Sequence, residues 1–372
     1  MPSSVSEPIA SALSAHIRTL IAQRGGWLPF DEFMQAALYV PGLGYYANSL
    51  QKFGRMPSSG SDFVTAPELS PLFGQCLAQQ IAQVLPAGKA AGGKACVYEF
   101  GAGSGALALQ ICEHLAHISC RIEQYFIVEI SSELRARQQE KLKAFAGQIT
   151  WLAELPDAMQ GVVIGNEVLD AMPVKLLQRK QSAWHERGVT VTEAGFAWQD
   201  QPSSLRPPLD IGGAHDYLTE IHPQSEAFLG TLAEKLTQGA AFFIDYGFPE
   251  AEYYHPQRHM GTLMTHSLHT AGTDPLSRVG EQDITAHVNF TGCALAAQDA
   301  GMDVIGYCSQ GRFLLNCGFL ELADKLPPLQ RSATAKLIHE HEMGELFKVL
   351  ALGKGLDLGL IGFAQGDRSH TL

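Results

Sequence analysis

Short apolar runs alternate with amphipathic segments along most of the chain, and this alternation predicts an α/β fold. The runs are rich in β-branched and aromatic residues, as buried strands are, and the segments between them place apolar residues three or four positions apart, as helices do. Such strands form a sheet through right-handed crossovers, with helices on both faces and the last strand a candidate for antiparallel pairing. The seven predicted strands span about residues 95–100, 125–128, 149–151, 161–165, 240–244, 304–308 and 346–352.

The N-terminal segment departs from this pattern. Helical periodicity at residues 9–21 and 31–39 predicts an N-terminal helical cap. The next stretch, residues 41–71, is rich in glycine, serine and proline but also carries aromatic residues, which makes it too apolar for a plain linker. We expect residues 45–68 to form a lid loop that closes over a ligand; a surface connector is the alternative.

Two further segments interrupt the alternation of strands and helices. Residues 174–198 alternate apolar and polar positions in short pieces, which predicts a β-meander. Residues 248–286 are polar and rich in histidine, without the i, i+4 pairing of a helical metal site, although His269 is a candidate for the cleft. The predicted organisation is a cap and lid at 1–90 and a ligand-binding core at 91–372, with insertions at about 175–220 and 247–286.

Composition and charge narrow the class of protein. With 372 residues, of which 46% are hydrophobic, the chain is long enough to bury a large core. The net charge of −12 disfavours a nucleic-acid backbone as partner and suits a cationic substrate, because phosphates are bound mainly by lysine and arginine. No apolar run approaches a membrane span, and the N-terminus fits neither a secretory signal nor a transit peptide, so we expect a cytoplasmic protein that binds neither nucleic acid nor membrane.

The cysteine pattern indicates a reducing compartment. The seven cysteines are odd in number, contain no C-x-x-C pair and lie mostly within apolar runs. Disulfide frameworks and structural zinc sites need paired spacings, so we expect buried, reduced thiols and no metal.

A glycine-rich turn follows the first predicted strand. Gly101, Gly103 and Gly105 come directly after an apolar run that ends at Phe100, and a helical pattern begins with the next residues. Glycine at alternate positions allows a sharp turn and lets a ligand lie against bare backbone, while the first amides of the helix point at an anionic group. This strand, turn and helix predict a nucleotide site; a turn that only packs the strand on the helix is the alternative.

The residue at the end of the first strand discriminates between nucleotides. The spacing of Gly101, Gly103 and Ala106 also fits the dinucleotide pattern GxGxx(G/A), which is a weak signal by itself. A pyrophosphate beside the Glu99 carboxylate would meet about 4 kcal/mol of repulsion at an effective dielectric constant near 20. S-adenosylmethionine has no phosphate and brings a sulfonium and an amino group, both of which suit a carboxylate. The pattern Glu-x-Gly-x-Gly-x-Gly therefore favours S-adenosylmethionine.

Acidic and amide side chains follow other predicted strands at the same edge of the sheet. Glu129 ends the second strand, where an acid either reaches the ribose hydroxyls of a nucleotide or caps the next helix. Asn166, Glu167 and Asp170 follow the fourth strand, and Asp245 follows the fifth. Because ligands of such sheets lie beyond the carboxyl ends of the strands, we expect these residues to converge on one site. The alternative is that Asn166 caps a short helix whose first turn carries the two acids after it.

Eight segments between residues 45 and 350 carry a family resemblance. They are residues 45–46, 61–68, 99–105, 166–173, 245–247, 280–288, 310–314 and 343–348. In these segments the chain resembles the class I S-adenosylmethionine-dependent methyltransferases and, more closely, the MidA-like family, which includes a mitochondrial complex I assembly factor that acts as a protein arginine methyltransferase. Ala102 and Ser104 stand where relatives often carry proline and arginine, and Ser61 stands where they often carry glycine.

The resemblance implies a Rossmann-like fold with a seven-stranded sheet, S-adenosyl-L-methionine as cofactor, and methyl transfer to arginine in a protein, by family a subunit of the respiratory complex I type. Transfer from a sulfonium is an in-line displacement, and Glu167 and Asp170 are the candidates to orient the guanidinium. A homodimer stays open as the oligomeric state. The implied catalytic residues are Asn166, Glu167 and Asp170, and the implied cofactor-binding residues are Thr65, Glu99, Gly101, Gly103, Gly105, Glu129 and Asn166.

Three other functions stay open from the sequence. A methyltransferase that acts on a small molecule or on another side chain is the first, although Asn166 lacks the following Pro-Pro-Tyr of the familiar amide-methylating arrangement. An assembly factor that binds the cofactor and a partner without turnover is the second, and a dehydrogenase is the third.

Overall fold

A computed structural model describes the chain over residues 6–48, 65–90, 92–267 and 270–372. Residues 49–64 of the predicted lid lie outside these described residues, and so does His269. The lid and the role of His269 therefore stay predictions.

The chain divides into two compact units. The first unit comprises residues 1–63, 170–225 and 248–289, and the second comprises residues 64–169, 226–247 and 290–372. The division into 1–90 and 91–372 stays a prediction about domain organisation.

Helices precede the first strand and separate several of the later strands. Within the described residues the α-helices are α1 (Ser6–Gln23), α2 (Phe30–Tyr39), α3 (Ala66–Leu69), α4 (Pro71–Ala90), α5 (Ala106–His117), α6 (Ser132–Lys141), α7 (Pro223–Lys235), α8 (Glu250–Tyr253), α9 (Phe290–Asp299), α10 (Gln310–Asn316), α11 (Phe319–Ala323), α12 (Pro328–Thr334) and α13 (Met343–Leu346).

Strands form three sheets. Within the described residues they are β1 (Leu28–Pro29), β2 (Cys96–Phe100), β3 (Gln124–Val128), β4 (Ile149–Leu152), β5 (Met159–Asn166), β6 (Lys175–Lys180), β7 (Ala183–Thr192), β8 (Gly195–Pro202), β9 (Tyr217–Ile221), β10 (Leu236–Phe248), β11 (Met264–Ser267), β12 (Thr270–Gly272), β13 (Asp283–Thr285), β14 (Val288–Asn289), β15 (Asp303–Ser309) and β16 (Phe347–Lys354).

The central sheet of the second unit has the strand order β15-β16-β10-β5-β2-β3-β4. These strands are parallel except for β16, which is antiparallel to both β10 and β15. All seven predicted strands are present, and the last one is antiparallel, so the predicted fold is confirmed. The chain continues from β2 to β3 and β4 on one side and then returns to β5 on the other. The order therefore reverses at the carboxyl end of β2, where open α/β sheets bind ligands.

An apolar core fixes the position of these strand ends. Ile81 of α4 and Ile111 of α5 are fully buried in one cluster with Val97 of β2 and Ile164 of β5. Each buried aliphatic side chain of this kind contributes about 1.5–3 kcal/mol. The helices therefore fix the positions of β2 and β5, and with them the positions of the residues that follow these strands.

The first unit contains the predicted meander and the predicted cap helices. Strands β1, β7, β6 and β9 pair in that order, and β8 also pairs with β7. The pairs are antiparallel throughout. Ile17 of α1 and Phe33 of α2 are fully buried in a cluster with Leu176 and Val189 of this sheet. The predicted helices at 9–21 and 31–39 correspond to α1 and α2.

A small sheet in the second insertion has no counterpart among the predicted strands. Strands β12, β11 and β13 pair antiparallel in that order. They are only three or four residues long and rich in polar residues, so an alternation of apolar and polar positions could not indicate them.

The seven cysteines, all within the described residues, are free thiols, and each is buried except Cys120, which is partly exposed. The predicted buried thiols are therefore confirmed in six of seven cases. Over the described part of the chain, no helix combines the length and the apolar character that crossing a bilayer requires.

Candidate functional site

The glycine turn lies at the carboxyl end of β2, where the order of the sheet reverses. Gly101, Gly103 and Gly105 have φ angles of 63°, 52° and 77°, a left-handed region that residues with a Cβ rarely adopt. At Gly101 an added Cβ would lie 2.9 Å from Cγ2 of Val168, so a side chain has no room there. Gly105 is the N-cap residue of α5, and because glycine has no capping side chain it leaves the first amides of this helix to another acceptor.

Glu99 is buried near the end of β2, with 2% of its surface exposed. The Tyr125 hydroxyl donates to Oε2 of Glu99 at 2.7 Å. Burial raises the pKa of Glu99 to about 7, the hydrogen bond from Tyr125 opposes this rise, and the negative charge of Glu129 adds to it. A cationic group of a ligand would favour the ionised form, so this carboxyl can respond to the charge of a cofactor.

Glu129 follows β3, and its carboxylate is oriented from two sides. The Ser131 amide donates to Oε1 at 2.8 Å, and Nε2 of Gln138 donates to Oε2 at 3.0 Å. The cap of α6 is Ser131, whose hydroxyl accepts from the amide of Leu134. Burial raises the pKa of Glu129, and the bonds from Ser131 and Gln138 limit that rise. A carboxylate held in this way keeps acceptor capacity for hydroxyl donors of a ligand.

Gln138 on α6 connects the glycine turn to Glu129, and the sequence pattern does not single it out. Its Nε2 donates to the carbonyl of Gly103 at 2.9 Å as well as to Glu129, and its Oε1 accepts from Nε1 of Trp151 at 2.8 Å. The side chain is fully buried. Since α6 is polar over most of its length, periodicity carries no signal for the one glutamine that points inward.

Thr65 precedes the short helix α3, and polar contacts attach this helix to the glycine turn. Glu68 of α3 accepts a hydrogen bond from the Ser104 hydroxyl. Gln110 of α5 donates through Nε2 to the carbonyl of Pro67 at 2.7 Å. The segment that carries Thr65 therefore has a fixed place beside the turn.

Asn166 ends β5, and Glu167 begins the turn after it. Glu167 has a φ of 53°, a conformation that costs a non-glycine residue about 1–3 kcal/mol and clusters at functional sites. Its amide donates to the carbonyl of Ile244 at 2.9 Å, and Nδ2 of Asn166 donates to its Oε1 at 3.0 Å. The bond to Ile244 thus holds the backbone of this turn, and the bond from Asn166 holds the Glu167 carboxylate.

Asp245 of β10 supports the same turn from the neighbouring strand. Its Oδ2 accepts from the amides of Val168 at 3.2 Å and Leu169 at 3.0 Å, and its Oδ1 accepts from the amide of Tyr246 at 2.9 Å. Asp245 is almost completely buried. This acid, expected at the edge of the sheet, therefore orients the backbone next to Glu167.

Asn166 also offers a buried acceptor to a ligand. Its Oδ1 accepts no hydrogen bond from any of the described residues. Phe100 of β2 lies opposite Gly165 of β5, so Asn166 lies one position beyond this pair, next to Gly101. A buried acceptor without a donor costs about 1–3 kcal/mol. An amino or hydroxyl group of a nucleoside-type cofactor on the glycine turn would supply such a donor.

The predicted site residues divide between the two units. Asp170 belongs to the first unit, where it is 5% exposed and its carbonyl accepts from the amide of Ala286 at 2.9 Å. The joint action of Glu167 and Asp170 stays a prediction, as do the roles of the other residues. Within the second unit lie Thr65, Glu99, Gly101, Gly103, Gly105, Glu129, Asn166 and Glu167.

Comparisons with known proteins agree with this geometry. A family model described as "Putative S-adenosyl-L-methionine-dependent methyltransferase" matches residues 76–308, more than half of the chain. A solved structure from Burkholderia thailandensis with S-adenosyl-homocysteine bound is 47% identical, with a TM-score of 0.96 over 100% of this chain and 99% of that chain. A second structure from the same organism is 45% identical, with a TM-score of 0.90 and the same coverage.

Curated relatives are more distant. The Drosophila melanogaster protein named "Protein arginine methyltransferase NDUFAF7 homolog, mitochondrial" is 29% identical over 95% of this chain and 87% of its own length. Its Homo sapiens counterpart, "Protein arginine methyltransferase NDUFAF7, mitochondrial", is 27% identical over 94% of this chain and 86% of its own length.

Proposed function

The chain belongs to the MidA-like family of S-adenosyl-L-methionine-dependent methyltransferases, and from this membership we propose that it methylates arginine side chains of a protein. The printed names of the curated relatives support an arginine acceptor. The observation that carries the proposal is the strained Glu167, which presents a carboxylate directly before Val168, the residue that contacts the glycine turn. The complex I type subunit implied by the resemblance is the first acceptor to test.

The cofactor is S-adenosyl-L-methionine, which supplies a methyl group on a positively charged sulfur, so that transfer needs no covalent enzyme intermediate. We assign each contact to a group whose chemistry fits. The glycine turn and the first amides of α5 face the carboxylate of the methionine portion. Glu129 accepts from the ribose hydroxyls, and Oδ1 of Asn166 accepts from the amino group. Glu99 stabilises the positive charges, and Thr65, the N-cap residue of α3, adds a contact to the cofactor.

Glu167 has the chemistry to orient the acceptor. A carboxylate accepts two parallel hydrogen bonds from a guanidinium and fixes its plane, which is a geometry that a single amine cannot satisfy. The nitrogen that is left unpaired attacks in line: its bond to the methyl carbon forms as the bond from that carbon to sulfur breaks, and S-adenosylhomocysteine leaves. The proton of this nitrogen passes to the carboxylate that holds the guanidinium.

The test is transfer of label from S-adenosyl-L-methionine to proteins of cells that lack this chain, followed by mass spectrometry of the modified residue. We expect methylarginine from the native chain. Glu167→Gln should retain cofactor affinity by calorimetry and lose transfer, because the amide accepts only one of the two hydrogen bonds. Glu234→Gln, an exposed position on α7 of the same unit, is the matched control and should transfer normally.

Other outcomes would contradict the proposal. A labelled small product would indicate a small-molecule acceptor, and label on another side chain would indicate another protein substrate class. Cofactor that binds without turnover would indicate an assembly factor. Full transfer to arginine by Glu167→Gln would leave the acceptor class intact and remove the role given to Glu167.

A further inference from the structure

A second polar cluster lies wholly within the first unit, on and around β13. Asp283 is 3% exposed, and the Tyr46 hydroxyl donates to both of its carboxylate oxygens, at 2.9 and 2.8 Å. The ring of Tyr39 stacks on that of Tyr46, with centroids 5.6 Å apart and planes 24° from parallel. Tyr39 and Tyr46 are both partly exposed residues. The cluster thus combines a buried acid with a stacked pair of partly exposed tyrosines.

The small sheet adds a hydroxyl on the same face. Asp283 and Thr285 alternate with Ile284 along β13, so they point to one side of the sheet while Ile284 packs in the apolar core of this unit. Thr285 is 2% exposed, and its Oγ1 has no hydrogen-bond partner among the described residues. His266 of β11 pairs with Asp283 and therefore lies on this face too. A buried hydroxyl without a partner indicates a place for a donor group from outside the chain.

Asp170 brings a second acid to this cluster. Its carbonyl accepts from the amide of Ala286, the residue after Thr285. The Tyr39 hydroxyl donates to the carbonyl of Ala171 at 2.9 Å. Burial raises the pKa of Tyr39, and the negative charges of Asp283 and Asp170 raise it further. Both carboxylates therefore belong to the electrostatic environment of the Tyr39 phenol.

We propose that this tyrosine–aspartate cluster, formed by Tyr39, Tyr46, Asp170, Asp283 and Thr285, binds the guanidinium of an arginine side chain in the protein substrate. The inference rests on the proposed function for its substrate class. A guanidinium is planar, donates five hydrogen bonds in a fixed fork and stacks on aromatic faces, so it matches two carboxylates, one hydroxyl and a stacked tyrosine pair. An ammonium offers neither the fork nor the flat face. Asp283, Tyr46 and Thr285 thereby become specificity-determining residues.

The test uses the full chain and three small probes observed by saturation-transfer NMR. The probes are N-acetyl-arginine amide, N-acetyl-lysine amide and N-acetyl-citrulline amide, the last a neutral shape analogue of arginine. We expect binding of the arginine probe that exceeds binding of the other two by about tenfold, as for loss of one charge-assisted hydrogen bond. Asp283→Asn should weaken the arginine probe by about the same factor. Asp274→Asn, an exposed acid in the same insertion, should leave it unchanged.

A folding defect and a binding defect are separated by a second variant. Thr285→Val keeps the shape of the side chain and removes only the hydroxyl, so it should keep the thermal unfolding midpoint and weaken the arginine probe by about threefold or more. Equal binding of the citrulline and arginine probes, or unchanged binding in both Asp283→Asn and Thr285→Val, would refute the proposal that this cluster binds a guanidinium. A normal KM for transfer to arginine by Asp283→Asn would also refute it, and the proposed function would stand. Transfer only to other side chains, together with intact arginine binding, would remove the proposed function and leave the guanidinium site.

Discussion

Glu99 is expected to release a proton when S-adenosyl-L-methionine binds, and this linkage gives a sharp prediction. Burial raises the pKa of Glu99 to about 7 from an ordinary value of 4.5, so at pH 6 the free protein holds this carboxyl mostly in its neutral form. A cofactor that carries a sulfonium and an ammonium favours the carboxylate. Binding should therefore lower this pKa and expel the proton.

The sign and size of the effect on stability follow from the same pKa. A carboxyl whose pKa is higher in the folded than in the unfolded state costs nothing below about pH 4.5, and its cost is complete above about pH 7. The difference corresponds to about 3 kcal/mol. The free energy of unfolding of the free protein should therefore fall as the pH rises through this window. The cofactor should offset part of that loss, because it makes the ionised form favourable.

Calorimetric titration measures the proton directly. At pH 6, in two buffers with different ionisation enthalpies, the difference in binding enthalpy should correspond to release of about 0.9 proton per cofactor, falling toward zero above about pH 8. The affinity should rise with pH by up to about tenfold per pH unit below 7 and then level off. These values are the contribution of the Glu99 carboxyl.

Glu99→Gln is the matched variant, because its amide oxygen can still accept the hydrogen bond from Tyr125. In this variant the released proton and the pH dependence of affinity should both disappear, and the free protein should lose the decline in stability between pH 4.5 and 7. If the native chain binds the cofactor without proton release at pH 6, or if Glu99→Gln releases as many protons, the assignment of Glu99 to the cofactor charge is wrong.

Two further predictions concern residues that the structure holds rigidly. Glu129→Ala should weaken the binding of S-adenosyl-L-methionine by a factor corresponding to about 1.5–3 kcal/mol, the range for hydrogen bonds to a charged acceptor. Calorimetry measures this affinity, and an unchanged value would remove the ribose assignment. Asp245→Ala removes the acceptor of the Val168 and Leu169 amides, and it should lower the free energy of unfolding by about 1–3 kcal/mol for each amide left without a partner. Urea denaturation measures this loss, and a total loss below about 1 kcal/mol would show that water replaces the carboxylate.

The central sheet could be predicted because its signals are local. Each of its strands is an apolar run bounded by polar or glycine residues. The turn after β2 needs left-handed conformations, and its three glycines indicate them directly. The acids after the strands, Glu129 and Asp245, could likewise be placed at one edge, because parallel strands bring their carboxyl ends together. These inferences need only residues that are close in sequence and the rule that parallel strands end at one edge of the sheet.

Contacts between distant segments could not be predicted. Gln138 lies on a polar helix, and its importance comes from meeting Gly103 and Trp151, which are 35 and 13 positions away. The turn at Glu167 is held by hydrogen bonds to Asp245 and Ile244 of another strand, so no local pattern encodes it. The strand that carries Asp283 is only three residues long, with one apolar residue between two polar ones, and this is too short for periodicity to detect.

Glu99 selects its cofactor by attraction more than by repulsion. The figure of about 4 kcal/mol against a pyrophosphate assumes a full negative charge. With a pKa of about 7, however, Glu99 is about half protonated at neutral pH, and it can meet a phosphate in its neutral form at little cost. A sulfonium gains from the ionised carboxylate, whereas a phosphate gains nothing comparable from the protonated one. The preference for the cationic cofactor should therefore grow as the pH rises through 7 and fade below about 6, in parallel with the proton that Glu99 releases.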